Sequence, residues 1–373
     1  MANNRAVLHI CLSKGWGGLE MYPIRTGKQL IDKGWKVLGL CIRGTRVAEG
    51  MREQGFEVFE INSKAAVLPQ LMTLKRWLAA HHVNVIHCHK SGDVVVAALL
   101  DTVGDFKVIF TEHMGSSSSR NDLYHRWVYR HVDQVLSISN FTKQRNIKAL
   151  PVPVEKIHRL WLGTDIRPAI DDPAQIATIR EGLGIPPQAI VIGTVGRIDK
   201  GKGQRELLEA FLSLTQQHPA LPLHLLIVGG LNAEQGSDDG IVAEMQQAIT
   251  SSGMASQIHL VGFRRDTGNM LAAMDICAIL SHQEAFGLTV IEAMAARKLI
   301  LGASTGAVPE ILGEHYPYIT DPLDIRAITD TLATIVSELE SLKPLSLALQ
   351  QRAAQHFSTE THIAALELIY DER

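Results

Sequence analysis

Short apolar runs alternate with amphipathic stretches along almost the whole chain, and this alternation constrains the fold more than any single motif. In the first half the runs are Val7–Leu12, Lys36–Ile42, Glu57–Ile61, Val85–Cys88, Val108–Thr111 and Gln134–Ile138. In the second half they are Ile190–Val195, Leu223–Val228, Ile258–Val261, Asp275–Leu280 and Leu299–Leu301. Between them lie helical patterns such as Glu20–Lys33, Leu68–His81 and Gln204–Gln216. Strands separated by helices pair in parallel through right-handed crossovers. Their near-continuous apolar character fits burial on both faces. A length of 373 residues suits two domains. The polar stretch Leu162–Pro173, with Gly163, Pro168 and Pro173, reads as the join. The expected layout is therefore α/β, with two doubly wound parallel-sheet domains over residues 1–165 and 166–357, and a last helix over 358–373. Ligands of such sheets bind beyond the carboxyl ends of the strands, and two facing domains would line a central cleft.

Composition narrows the class. Hydrophobic residues make up 46% and charged residues 20%, as in a packed globular protein. No apolar stretch is long enough to span a bilayer, and the start of the chain shows no signal-peptide pattern. Cys11, Cys41, Cys88 and Cys277 lie in or beside apolar runs without metal-ligand spacing, so a reduced cytoplasmic setting is expected. Charge is uneven: net +8 over residues 1–165 and net −11 over residues 166–373. A basic half points to an anionic partner, either a membrane surface, a phosphorylated glycolipid or nucleic acid, although uneven surface composition explains it equally well.

Four groups of residues follow strands where a ligand should sit. Ser13-Lys-Gly-Trp-Gly-Gly-Leu-Glu20 is glycine-rich but not a dinucleotide fingerprint, and the second strand ends without a ribose-binding acid, which disfavours a dehydrogenase. Phe110-Thr-Glu-His113 ends a strand and carries the best-placed histidine of 16. His87 and His89 resemble metal ligands, but strand alternation explains them better. Val195-Gly-Arg-Ile-Asp-Lys-Gly-Lys-Gly203 sets cations among glycines at a helix start, a pattern suited to a diphosphate, without the order of a Walker A loop. Glu284-Ala-Phe-Gly-Leu-Thr-Val-Ile-Glu292 places two carboxylates beside a helix N-terminus near Gly287, where acids meet hydroxyls and amides meet phosphate oxygens. Arg120–His131 could form an amphipathic helix that touches lipid headgroups, but packing of Leu123 and Trp127 into the domain is favoured.

In this order the motifs resemble family 4 of the retaining glycosyltransferases, of GT-B fold, over nearly the whole chain. The resemblance rests on Gly17-Gly18 with Glu20, Thr111-Glu-His113, Val135–Ser139, Gly196-Arg-Ile with Lys202-Gly203, Leu260–Phe263, Met274-Asp275, Glu284–Glu292 and Gly306-Ala-Val-Pro-Glu310. It implies a nucleotide-sugar donor, UDP-linked by default, and a cell-envelope glycan or glycolipid acceptor such as lipopolysaccharide. Arg197 and Lys202 would contact the diphosphate. Glu284 would bind sugar hydroxyls and Glu292 the ribose. Phe286, Gly287, Leu288 and Thr289 would line phosphate and sugar, and Gly262, Phe263 and Arg264 would lie near the base. His113, with the Gly17-Gly18 loop, would approach the reacting sugar, and the last helix would cross back onto the N-terminal domain. Fixed cations could stabilise the leaving diphosphate without a metal or other cofactor, in keeping with the lack of an Asp-x-Asp loop. Nucleic acid is not an expected partner, and a cytoplasmic enzyme contacting the inner face of the plasma membrane is. A sugar phosphorylase or nucleotide-sugar epimerase on the same fold, and a non-catalytic nucleotide-sugar-binding module, stay open as alternatives.

Overall fold

In the computed structural model, which describes residues 5–372, each of the apolar runs lies in or overlaps a strand. The first sheet comprises β1 (Ala6–Cys11), β2 (Lys36–Ile42), β3 (Glu57–Ile61), β4 (Val85–Cys88), β5 (Lys107–Glu112), β6 (Gln134–Ser137) and β7 (Ile157–Arg159), in the order β3-β2-β1-β4-β5-β6-β7. The second comprises β8 (Ile190–Val195), β9 (Leu223–Val228), β10 (Ile258–Leu260), β11 (Ile276–Ile279), β12 (Leu299–Ala303) and β13 (Ile319–Thr320), in the order β10-β9-β8-β11-β12-β13. All neighbouring pairs are parallel. Burial on both faces explains the continuous apolar runs. Along β1, Leu8 and Ile10 enter one apolar cluster while Val7 and Cys11 enter another on the opposite face. The four cysteines are free and buried.

Two strands, β7 and β13, have no counterpart among the expected runs. Both are short edge strands, and Ile157 is the one fully buried residue of β7, so neither needs an apolar run.

The chain divides into two compact units, one containing residues up to Leu162 together with Glu360 onward, the other Gly163–Thr359. The last helix, Thr359–Asp371, is thus part of the first unit's core. Its Ile363, Leu366 and Tyr370 pack with Val7, Cys11 and Trp35. Glu367 on the same helix accepts from Trp35 Nε1 at 2.9 Å and pairs with Lys33 at 2.9 Å and Arg5 at 3.4 Å. Burying the three apolar side chains, at roughly 1.5–3 kcal/mol each, outweighs these partly exposed ion pairs, worth about 1 kcal/mol or less. Among the described residues no helix is long and apolar enough to cross a membrane.

Strand order reverses once in each sheet, between β1 and β4 and between β8 and β11. At such a point successive crossovers leave toward opposite faces and open a crevice beyond the strand ends. Both crevices are lined by loops that carry the sequence motifs.

Candidate functional site

In the second unit the reversal brings two loops together. The loop after β8 runs from Gly196 to Gly203, which opens the helix Gln204–Gln217. The loop after β11 runs from Leu280 to Gly287, which opens the helix Leu288–Ala295. Lys202 from the first pairs with Glu284 from the second, Nζ to Oε2 at 3.0 Å. Each side chain is about a quarter to a third exposed, 34% and 24%, so the pair is reachable and contributes little to stability. His282 ties the loops together from behind. Its N–H donates to the Gly201 carbonyl at 2.8 Å, and its Nε2 lies 3.4 Å from Glu206 Oε1. Gln204 Nε2 donates to the Arg197 carbonyl at 2.8 Å and holds the base of the cationic loop.

Both helices begin at glycines, and no side chain caps either start. Their first amides are therefore available to an anion. Gly287 has φ +97, a left-handed conformation that turns the chain into its helix, and a Cβ there would stand 2.9 Å from Val290 Cγ2. Glu284 is seated from below by the Gly306–Glu310 turn. The Ala307 N–H donates to the Glu284 carbonyl at 2.9 Å, and a Cβ on Gly306 would stand only 2.5 Å from that oxygen. The late glycine-proline turn is thus the floor on which Glu284 rests.

The remaining expected residues of this unit are placed unevenly. Arg197 is 60% exposed and turns to the Gly236 carbonyl (3.3 Å) and Asp199 (3.4 Å), not to the Lys202–Glu284 pair. Gly262 lies two residues past β10, and its carbonyl accepts from the Gly229 N–H at 3.1 Å. Phe263 is exposed, and Arg264 is engaged by Asp266 through two bonds of 2.8 and 2.7 Å. Leu288 is exposed at the helix start, Thr289 beside it is half-buried, and so is Glu292 one turn further on. Phe286 differs from its neighbours: its ring is buried and packs edge-on against Phe357 at 6.2 Å, which anchors the loop to the core. His282, Gln204 and Glu206 escaped the sequence reading. The position of His282, two residues before Glu284 in a strand-end loop, was the available signal.

In the first unit the β1/β4 reversal holds two layers. The outer one is the loop Ser13–Gly17, with Gly17 and Gly18 opening the helix Gly18–Asp32. Ser13 Oγ donates to Glu20 Oε1 at 2.6 Å, and Lys90 Nζ reaches both Ser13 (2.9 Å) and Glu20 (3.1 Å). Burial tends to raise the Glu20 carboxyl, but the bonds from Ser13 and Lys90 outweigh it and hold the group below its ordinary range. Nearby Asp93 is fully buried and accepts from the Leu12 N–H at 3.2 Å, and burial pushes it up to about 7.

Beneath this lies a group of imidazoles. His9 and His87 are register partners across β1 and β4, with His89 two residues on and His113 just past β5. All four are buried. Burial lowers His9 to about 3 and His113 to about 4, and takes His87 and His89 well below the usual value. These rings are neutral at physiological pH. His113 lies under the ring of Tyr22, centroids 4.9 Å apart and nearly perpendicular, and its Nε2 has no hydrogen-bond partner among the described residues. His9, His87 and His89 each place a ring nitrogen within 4.8 Å of the others, an arrangement a metal ion could use. Hydrogen bonds account for much of the same grouping. His9 Nδ1 and His89 Nε2 are 2.9 Å apart, and both nitrogens of His87 are engaged, with Tyr370 and Thr111. The trio also brings no carboxylate or thiolate to offset a buried divalent charge.

The helix Leu123–Tyr129 buries Val128 and Tyr129, with Trp127 partly buried against the core, and leaves Leu123 85% and Tyr124 55% exposed. Trp127 therefore packs as expected, whereas Leu123 does not.

Comparison with known proteins bears on both units. The sequence model of the family described as Glycosyl transferases group 1 matches residues 175–354, and that of Glycosyltransferase Family 4 matches residues 16–167. The chain is 24% identical over 293 residues to the lipopolysaccharide core biosynthesis mannosyltransferase LpsB of Rhizobium meliloti, covering 77% of this chain and 79% of that one. It is 29% identical over 199 residues to a D-inositol 3-phosphate glycosyltransferase of Corynebacterium jeikeium. That match covers 52% of this chain and 46% of the relative, so the chain spans about half the length of relatives of that kind. A crystal structure of Anabaena HepE in complex with UDP superposes with a TM-score of 0.80 at 22% identity, covering 98% of this chain and 99% of that one, which shows a shared fold.

Proposed function

The chain belongs to glycosyltransferase family 4, and we propose that it moves a sugar from a nucleotide-sugar, a UDP-sugar first among the candidates, to a cell-envelope glycan or glycolipid such as lipopolysaccharide, with retention at the anomeric carbon and without a metal. The observation that carries this reading is the Lys202–Glu284 pair at the β8/β11 reversal, flanked by two helix starts without side-chain caps. UDP is favoured because HepE, of the same fold, was crystallised with it. Lipopolysaccharide is favoured because LpsB is named for its core.

Breaking the sugar–phosphate bond leaves its electron pair on the diphosphate, and stabilising that charge is the main task. Lys202 offers a cation already placed by Glu284, and the amides at Leu288 and Thr289 offer fixed donors. Arg197, exposed on the same loop, swings from Gly236 to the phosphates. Glu284 accepts from hydroxyls of the transferred sugar and Glu292 from the ribose. The acceptor hydroxyl attacks on the face the diphosphate leaves, and its proton passes to the departing phosphate. His113, neutral because it is buried, orients the sugar and takes no proton.

The basic first unit meets the anionic acceptor. Leu123 and Tyr124, exposed beside Arg126 and Arg130, supply an apolar tip among cations suited to a membrane surface.

Product analysis with a panel of nucleotide-sugars and a lipopolysaccharide-type acceptor tests the reaction. Transfer is expected to survive excess chelator. Loss of activity that magnesium restores refutes the metal-free scheme, and donor breakdown without transfer refutes the assignment as a transferase. Co-sedimentation with vesicles tests the membrane contact, which must strengthen with anionic lipid and weaken with salt.

A further inference from the structure

The structure assigns a directional hydrogen-bond chain to the core of the first unit, through which Tyr22 and His362 act as positioning residues for His113; the assignment rests on the proposal that His113 orients the sugar. The direction follows from what each group can donate. His362 Nδ1 lies 2.7 Å from the Trp161 carbonyl, which can only accept, so Nδ1 carries the proton and Nε2 is an acceptor. Tyr22 Oη lies 2.9 Å from that Nε2 and therefore donates to it. His87, buried in the same core, is bonded separately: its Nε2 lies 2.7 Å from Thr111 Oγ1 and its Nδ1 lies 2.6 Å from Tyr370 Oη.

The chain thus runs from Tyr22 to His362 and ends on the Trp161 carbonyl. That carbonyl fixes the polarity of both links, because reversing one would leave two donors or two acceptors facing each other. Tyr370 and His362 both lie on the helix Thr359–Asp371. Eight residues separate them, about 12 Å along a helix. The C-terminal helix therefore holds Tyr22 through His362 and His87 through Tyr370. Tyr22 is held at its hydroxyl by His362, and its ring packs against His113. His113 Nε2 has no partner among the described residues, so ring packing sets the imidazole, with Tyr22 the nearest ring at 4.9 Å. Docking of the last helix is in this way coupled to the placement of the strand-end histidine.

Nitrogen NMR of the histidine rings in the full-length protein reads the chain directly. His362 is expected as the Nδ1–H tautomer, and the opposite form overturns the chain whether or not the protein is active. Turnover measurements test the positioning role. Tyr22→Phe and His362→Phe are expected to lower kcat roughly ten- to a hundred-fold with donor KM nearly unchanged, as misplacement of an orienting group would. His362→Gln, whose amide can donate to Trp161 and accept from Tyr22, is expected to keep most of the activity. Wild-type turnover in Tyr22→Phe, or a His362→Gln enzyme as impaired as His362→Phe, overturns the positioning role. Full activity in His113→Ala would instead refute the sugar-orienting reading, leaving the His362 tautomer to decide the chain.

Discussion

The two strand-order reversals occupy equivalent places in their sheets and are filled in opposite ways. At β1/β4 the polar groups are drawn inward. Four neutral imidazoles, Tyr22 and Thr111 lie buried, with His87 bonded at both ring nitrogens and His9 bonded to His89, while His9 Nε2, His89 Nδ1 and His113 Nε2 have no hydrogen-bond partner among the described residues, and the charges above them are locked into Ser13–Glu20–Lys90. At β8/β11 the polar groups stay partly exposed. Lys202 and Glu284 pair within reach of solvent, and Arg197 is held only by a carbonyl and a neighbouring acid. The same topology therefore serves a rigid mount in one unit and an open grip in the other. A buried network is costly to disturb but cannot easily exchange partners. A half-exposed pair is cheap to open and can exchange Glu284 for a phosphate.

The sharpest test separates stability from activity in the second unit. Lys202→Ala and Arg197→Ala are expected to lower turnover by roughly a hundred- to a thousand-fold. Loss of the Lys202–Glu284 pair should cost no more than about 1 kcal/mol of stability. A large drop in melting temperature with modest loss of activity would show that the pair is structural and erase the contrast.

Acid should separate the units next. His9, His113 and His362 titrate near 3 to 4 when folded because they are buried, with His87 and His89 also well below the usual value. In the unfolded chain they titrate near 6.5. Between about pH 6.5 and 4 the unfolded state binds more protons, so stability falls as pH drops through this window, by up to about 1.4 kcal/mol per pH unit for each ring. Asp93, raised to about 7, works the other way, since its folded form keeps a proton the unfolded chain releases above pH 4. One carboxyl against five imidazoles leaves acid destabilising. Hydrogen exchange at pH 5 should show protection lost in the first unit before the second, and simultaneous loss would contradict the contrast.

A smaller effect is expected at Gly306. Its φ of +64 and the 2.5 Å approach of a Cβ to the Glu284 carbonyl predict that Gly306→Ala costs about 1–3 kcal/mol and displaces Glu284. Thermal melts and donor KM should shift together. A shift in melting alone would mean that the turn supports the fold without setting the carboxylate.

Local chemistry made much of this legible in the sequence. Apolar runs located eleven strands, the inner ones because they are buried on two faces, whereas β7 and β13 are edge strands of three and two residues that carry no such run. Glycine punctuation located the loops after β1, β8 and β11. What escaped depends on packing between distant segments. Phe286 sits in a polar loop, and only its neighbour Phe357, far along the chain, draws its ring inward. Strand alternation puts His87 and His89 on one face. Their meeting with His9 depends on the register of β1 against β4, and the hold of Tyr370 and His362 on the same face depends on where the last helix docks.

The central claim is that the β8/β11 reversal holds the diphosphate of the donor. Calorimetric titration of UDP, GDP and ADP into the wild-type protein and into Lys202→Ala tests it without any acceptor. At least one nucleotide is expected to bind the wild type, and to bind the variant at least about tenfold more weakly, as loss of a charge-assisted contact requires. Equal affinity in both proteins, or no binding of any of the three to the wild type, would contradict the account.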